Sequence, residues 1–148
     1  SRWITTAEAL LDAGRRVLLV GCPRQLAADA LGDRPDVRAV GFVPLSGILP
    51  RADLILHHGG LGTSLAAIRA QVPSLVMPLA YDQLHNARLL EAAGAGCPTT
   101  EATVRTDIAR VARPEARRAV ADLAARLIPV EDAVAAAVRV VEHPPGPR

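Results

Sequence analysis

The residues best suited to chemistry form a short segment rich in histidine and glycine. It reads His57-His58-Gly59-Gly60-Leu61-Gly62-Thr63 and continues an apolar run at 54–56. Glycines at a strand-to-helix junction let a phosphate approach the backbone, and the positive end of the helix dipole favours its charge. His58 can donate a charge-assisted hydrogen bond to the same anion, and Thr63 can add a hydroxyl. The segment therefore predicts an anion site, although His58 alone could be a satisfied histidine at a strand end and the glycines could be turn residues.

A second polar segment lies further along the chain, at Pro78 to Gln83. Asp82 and Gln83 place a carboxylate beside an amide, and both groups can hold pairs of hydroxyls on a sugar. Asp82 could also be the N-cap of the helix that follows. The segment predicts a site for a polyhydroxylated ligand.

The elements that position these segments follow from hydrophobic periodicity. Apolar, β-branched runs predict strands at 16–20, 37–40, 54–56 and 74–77. A capping box formed by Thr5 and Glu8 predicts a helix that ends near Gly14. Helical periodicity predicts further helices at 23–31, 63–70, 82–93, 103–112, 114–128 and 130–142.

Strands that alternate with helices in this way indicate βαβ units. We therefore predict an α/β fold with a Rossmann-like, doubly wound parallel sheet. Ligands of such sheets bind beyond the carboxyl ends of the strands, where both polar segments lie. Residues 1–142 are predicted to form one domain, and the proline-rich residues 143–148 a frayed tail.

The composition excludes several other classes of protein. Half of the 148 residues are apolar, so the chain is not disordered, and all 17 basic residues are arginine. A net charge of +2 does not indicate a nucleic-acid partner. Cys22 and Cys97 lack the spacing of a metal site and fit buried, reduced thiols in a cytoplasmic protein. We expect neither a bound metal nor a membrane span.

Taken in order, the motifs resemble those of a known family. They are His58-Gly59-Gly60-Leu61-Gly62-Thr63, Gln71-Val72-Pro73, Pro78, Asp82-Gln83, Asn86-Ala87 and Gly94-Ala95-Gly96. This series is similar to the donor signature of glycosyltransferases of the UDP-glycosyltransferase-like family, which have the GT-B fold. The bacterial enzymes that decorate natural products are the most similar. Gly41-Phe42-Val43-Pro44-Leu45 resembles their nucleobase-binding segment.

The resemblance implies a role for each matching position. The diphosphate of a nucleotide sugar would be bound by His58, Gly59, Gly60, Gly62 and Thr63. Asp82 and Gln83 would hold the sugar, while Phe42 and the backbone of Val43 would bind the base. Transfer in the family inverts the anomeric centre by direct displacement, without metal or cofactor. His57 is expected to have a structural role.

Two departures from the family pattern refine these expectations. Relatives from plants carry an acid that grips the ribose hydroxyls where this chain has Ala66, so a dTDP-sugar is favoured over a UDP-sugar. The chain also begins after the position of the family's first strand, which would sit centrally in the sheet. The family's acceptor-binding domain, which supplies the general base, would precede that strand. We therefore expect no catalytic residue in this chain, and no transfer without an acceptor-binding half.

Two alternatives from other classes remain. The chain could be a non-catalytic subunit that binds a nucleotide sugar and needs a partner chain. It could also be a degenerate domain that serves as a dimerisation surface, so a homodimer or a partner chain is possible. The acceptor would be a small molecule.

Overall fold

The computed structural model describes residues 2–143, which form parallel strands backed by helices. A 3₁₀ turn at Leu49–Arg51 lies between the short helix Leu45–Ile48 and the strand Ile55–His57. The elements in chain order are α1 (Arg2–Asp12), β1 (Val17–Val20), α2 (Arg24–Leu31), β2 (Val37–Val40), α3 (Leu45–Ile48), β3 (Ile55–His57), α4 (Leu61–Arg69), β4 (Ser74–Val76), α5 (Tyr81–Ala92), β5 (Gly96–Pro98), α6 (Val104–Val111), α7 (Pro114–Ala125) and α8 (Val130–Glu142).

The strands form two parallel groups. β1 pairs with β2, and Val17 lies beside Val37. β4 pairs with β3 on one side and with β5 on the other, so that Ser74 lies between Ile55 and Gly96. Within residues 2–143 no ladder joins β1 to β3. The predicted α/β fold with parallel strands is confirmed, whereas the strand expected between these two groups stays a prediction.

Helices cover both faces of the three-stranded group. Leu75 and Val76 are adjacent on β4, are fully buried, and point to opposite faces. Leu75 packs with residues of α1 and α6, and Val76 packs with residues of α4, α5 and α7. A strand that is apolar on both faces requires this double cover, as the predicted doubly wound layer implies.

The predicted capping box at the first helix is wrong. Thr5 and Glu8 lie inside α1, which already includes Arg2. Thr6 donates its hydroxyl to the carbonyl oxygen of Arg2 at 2.8 Å, a bond typical of a helix interior. The residues before Thr5 continue the helical pattern, so the local cap signal marks no boundary. The helix does end before Gly14, whose φ of +71° suits a C-terminal cap.

Three elements were missed by the sequence prediction. β5 has only three residues, among them a glycine and a proline, and it therefore lacks the apolar run that marks a strand. It is nevertheless buried at Gly96 and Cys97, beside β4. The short helix α3 and the 3₁₀ turn after it are each a single turn, below the length at which periodicity is visible.

The C-terminal helix α8 stands apart from the core. None of its residues is buried. Val130, Val134 and Val138 are spaced four residues apart and expose about half of their surface. The tail predicted at 143–148 lies beyond the described residues, apart from His143.

The close approach of β5 to β4 predicts that Gly96→Ala destabilises the fold. A Cβ on Gly96 would collide with the carbonyl oxygen of Ser74, which is backbone and cannot move aside. Overpacking of this kind typically costs about 1–3 kcal/mol, so the free energy of unfolding in urea should fall by that amount. Gly47→Ala is the control, because nothing lies within 4 Å of a Cβ there. Equal stability of the two variants would contradict the packing described.

Candidate functional site

The predicted site segments follow the carboxyl ends of three parallel strands. Residues 41–44 follow β2, residues 58–60 follow β3 and residues 77–80 follow β4. The loop at 41–44 leads into α3, and the loop at 58–60 leads into α4. These two helices pack against each other. The structure thus places all three segments at strand ends, where open α/β sheets bind their ligands.

Gly59 is the most constrained residue of the glycine-rich loop. Its φ is +95°, a conformation that L side chains rarely adopt. A Cβ there would lie 2.7 Å from Cγ1 of Val76 and 2.9 Å from the carbonyl oxygen of Gln83. Only glycine therefore lets the loop pass between β4 and α5.

The loop ends in a helix N-terminus that no side chain caps. α4 begins at Leu61, two residues before the predicted start, with Gly60 as its N-cap residue. The first turn closes where the amide of Ser64 donates to the carbonyl oxygen of Gly60 at 3.0 Å. The amides of residues 61–63 precede that bond and have no acceptor within the helix. A Cβ on Gly62 would meet nothing within 4 Å, so this turn is open to a ligand.

His58 lies beside this helix N-terminus. It is half-buried, and its Nε2 would be 2.6 Å from a Cβ on Gly60, so the imidazole lies over that glycine. An imidazole in this position can reach an anion bound by the α4 amides.

His57 faces the interior instead. It is 6% exposed, and its Nδ1 accepts a hydrogen bond from the amide of Gly59 at 3.0 Å. Burial, together with the neighbouring charge of His58, lowers the pKa of His57 from 6.5 to about 4. The ring is therefore neutral near pH 7 and carries its proton on Nε2, which has no partner in the described part of the chain. This burial agrees with the structural role predicted for His57.

Asp82 and Gln83 lie in the first turn of α5. The N-cap residue is Ala80, so the possibility that Asp82 is the N-cap is wrong, and its carboxylate is exposed. Gln83 Oε1 accepts hydrogen bonds from the amides of Leu79 (2.7 Å) and Ala80 (3.1 Å). Oε1 therefore shapes the turn that follows Pro78, and the Nε2 group is the part of Gln83 left to meet a ligand.

Asn86 connects this helix to the glycine-rich loop. Its Nδ2 donates to the carbonyl oxygen of Gly59 at 2.8 Å. The sequence motif contains Asn86, but sequence reasoning gave it no role. The signal was weak, because an asparagine in the second turn of a helix shows no periodicity that points to a distant loop.

The proposed nucleobase segment is differently placed. Phe42 is 93% exposed and makes almost no contact with the protein, whereas Val43 is half-buried. The structure brings the glycine-rich loop and the Asp82-Gln83 segment into direct contact, but it does not bring Phe42 against either of them. An isolated exposed aromatic ring can stack on a planar ligand.

An open groove that the sequence did not predict adjoins the sugar segment. It has a volume of about 440 Å³ and lies past the ends of β4 and β5. Its lining residues are Arg2, Met77, Pro78, Thr99, Thr100, Glu101 and Ala102. Pro78 joins the groove to the turn that Gln83 shapes.

Residues 15–143 match the family described as the erythromycin biosynthesis protein CIII-like, C-terminal domain. The chain belongs to this family. It is 42% identical over 90 residues to aclacinomycin-T 2-deoxy-L-fucose transferase of Streptomyces galilaeus, covering 60% of this chain and 20% of that protein. It is 40% identical over 109 residues to L-demethylnoviosyl transferase of Streptomyces niveus, covering 74% of this chain and 28% of that protein. The predicted resemblance to natural-product glycosyltransferases is confirmed.

Solved structures place this CIII-like C-terminal domain in the GT-B fold. Glycosyltransferase VinC in complex with dTDP superposes with a TM-score of 0.79 at 29% identity, over 96% of this chain and 38% of VinC. Glycosyltransferase SsfS6 of Streptomyces sp. SF2575, complexed with thymidine diphosphate, gives 0.63 at 30% identity, over 86% and 41%. The chain therefore spans less than half the length of each of these four proteins.

No helix within 2–143 is long and apolar enough to cross a membrane. Nor do these residues contain a cluster of three or more His, Cys, Asp or Glu side chains that could hold a metal ion. Both cysteines are free thiols; Cys97 is buried as predicted, but Cys22 is only half-buried.

The lowered pKa of His57 predicts that the fold loses stability as the pH falls from about 6.5 to about 4. In that range the unfolded chain binds a proton at His57, whereas the folded chain does not. Once the pH is below both pKa values, a shift of this size lowers the free energy of unfolding by about 3 kcal/mol. Denaturant unfolding at several pH values should show that the advantage of wild type over His57→Asn shrinks across this range.

His85→Asn is the matched control for that experiment, because His85 is exposed on α5. Its difference from wild type should stay small compared with that of His57→Asn. A pH-independent difference between wild type and His57→Asn would show that His57 is not buried in its neutral form.

Proposed function

We propose that this chain is the donor-binding domain of a glycosyltransferase and that it binds a nucleoside-diphosphate sugar. The observation that carries the proposal is the N-terminus of α4, which no side chain caps. The loop before it can take its path only because residue 59 is glycine. Two structural neighbours, VinC and SsfS6, were solved with thymidine diphosphate. Because the family membership covers residues 15–143, the same ligand class is the natural one to propose here.

In this proposal the diphosphate lies at the start of α4. The amides of Gly60, Gly62 and Thr63 face it together with the imidazole of His58, and Gly59 lets the backbone approach. Helix dipole and amide donors both favour a doubly charged group at this end. Such fixed donors also stabilise the charge that develops on a departing diphosphate, so they promote transfer without metal or cofactor.

The sugar and the base occupy the two flanking segments. Asp82 is exposed and accepts hydrogen bonds from sugar hydroxyls, and the Nε2 group of Gln83 donates to a sugar oxygen. The ring of Phe42 stacks on the base, and the backbone of Val43 reads its edge. Base stacking would cover a ring that is 93% exposed in the chain alone.

Catalysis itself requires more than this domain. We propose that a small-molecule acceptor is held by a separate acceptor-binding part, and that transfer inverts the anomeric centre by direct displacement in the cytoplasm. General-base help is typically worth ~10²–10⁴ in rate, and that part would supply it. This chain alone is then inactive in transfer, and it contributes donor binding.

One observation favours the alternative that the domain serves as an interaction surface. α8 exposes an apolar face along its whole length, and an isolated helix of 13 residues is marginal in water. A homodimer or a partner chain would give this face a contact. A degenerate interaction domain would not bind nucleotide, so the titrations below separate the two functions.

The open turn at the start of α4 predicts that Gly62→Ala separates folding from ligand binding. Since nothing lies within 4 Å of a Cβ there, the fold should keep its stability or gain up to about 1 kcal/mol from the better helix former. A methyl group on the anion-binding turn should weaken dTDP binding by about tenfold, the equivalent of one lost hydrogen bond to a charged group. Calorimetric titration and thermal unfolding measure the two effects.

His58→Ala provides the second variant of that experiment, with His85→Ala as its control. Loss of a charge-assisted bond from His58 should cost about 1.5–3 kcal/mol of dTDP affinity. His85→Ala should bind like wild type, because this exposed imidazole belongs to no proposed subsite. Unchanged dTDP affinity in both Gly62→Ala and His58→Ala would show that the diphosphate does not bind at the start of α4.

Ala66 predicts a preference for thymidine over uridine donors. Ala66 is half-buried on α4 and has no carboxylate to grip a ribose 2′-hydroxyl. Ala66→Glu should shift competition between dTDP and UDP toward UDP, and Ala66→Gln should control for the added bulk. A wild type that prefers UDP would show that the ribose is read elsewhere.

A further inference from the structure

The peptide groups on both sides of Gly59 are held by side chains from different elements. Its amide donates to Nδ1 of His57 at 3.0 Å, at the end of β3. Its carbonyl oxygen accepts from Nδ2 of Asn86 at 2.8 Å, on α5, 27 residues further along the chain. Two side chains thus restrain one residue that has no side chain of its own.

This restraint matters because glycine is the most mobile backbone unit. A glycine at φ +95° is followed directly by Gly60, so two flexible residues precede α4. Fixing the backbone of one residue costs about 1–2 kcal/mol in conformational entropy. A loop ordered before the ligand arrives does not add that cost to binding.

The bond from Asn86 also sets a direction. The carbonyl group of Gly59 and the amide N–H of Gly60 belong to the same planar, trans peptide, so they point in opposite directions. With the carbonyl oxygen held toward α5, the N–H of Gly60 points away from α5. Loss of the Asn86 donor would let this peptide rotate and would misdirect the first amide of the proposed diphosphate site.

Asn86 also links two of the proposed subsites. It lies one helical turn after Asp82, on the same face of α5. The backbone of Gln83, which also belongs to α5, packs against Gly59. The segment proposed to hold the sugar and the loop proposed to hold the diphosphate therefore share one hydrogen-bonded contact.

We propose that Asn86 is a positioning residue of the donor site, which acts through the carbonyl of Gly59 to aim the backbone amides of the loop at the diphosphate. This inference rests on the proposed function, because it assigns a means of orientation to the same site. Asn86 does not itself touch the donor. Its effect should be specific for ligands that carry the second phosphate.

The test compares dTDP with dTMP in calorimetric titrations of this chain. Asn86→Leu removes the donor but keeps the shape and neutrality of the side chain, and Asn86→Ala removes both donor and volume. Both variants should bind dTDP about tenfold more weakly, as expected for loss of a preorganised bond to a charged group, while dTMP affinity changes little. His85→Leu, an exposed neighbour on α5, should leave both affinities unchanged.

The ratio of the two affinities keeps the test valid even if a variant is partly unfolded, because loss of folded protein lowers both affinities alike. A wild-type ratio in both Asn86 variants would overturn the inference and leave Asn86 as a structural tie. A change in the ratio confined to Asn86→Ala would also overturn it, since volume rather than the donor would then be responsible. Wild-type protein that binds neither dTDP nor dTMP would refute the proposed function, and this inference with it.

Discussion

The close packing of Gly59 between β4 and α5 is the constraint on which the rest of the site depends. The space at its Cα is filled by Val76 and by the backbone of Gln83, so no side chain fits. Since Val76 is fully buried in the core, the position of the loop is fixed by the same contacts that hold the helices on the sheet. The geometry of the candidate site is therefore a consequence of core packing.

The adjacent residues His57 and His58 lie in different environments because side chains alternate between the two faces of a strand. Successive residues at a strand end point to opposite sides, and here one ring is buried and the other is half-buried beside the helix terminus. Burial keeps the ring of His57 neutral, so it can accept a hydrogen bond from a backbone amide without adding charge to the interior. His58 stays at the surface, where an imidazole can meet an anion.

Sequence alone predicted most of this layout, and its failures have physical reasons. Strands β1 to β4 were found because each coincides with an apolar run, and the longer helices because each displays its period. β5 has a glycine and a proline in place of such a run, α3 is a single turn, and the capping signal at Thr5 was a local pattern that the longer helix overrides. Residue types could indicate an anion site at 58–63, but they could not show that Gln83 uses its Oε1 on its own backbone or that Asn86 reaches Gly59. Such bonds depend on how two elements meet in space.

The outer elements β1 and α8 expose apolar surface that the core around the candidate site does not. The core around β4 is covered on both faces, yet β1 and β3 have no ladder between them within residues 2–143, and Leu18 and Val20 of β1 remain about 40% exposed. α8 likewise leaves a row of valines exposed. Unpaired strand edges and apolar helix faces attract further polypeptide, whereas the ends of β2, β3 and β4 carry polar and glycine residues suited to a small ligand. The surfaces suited to association are therefore different from the strand ends at which we propose that a nucleotide binds.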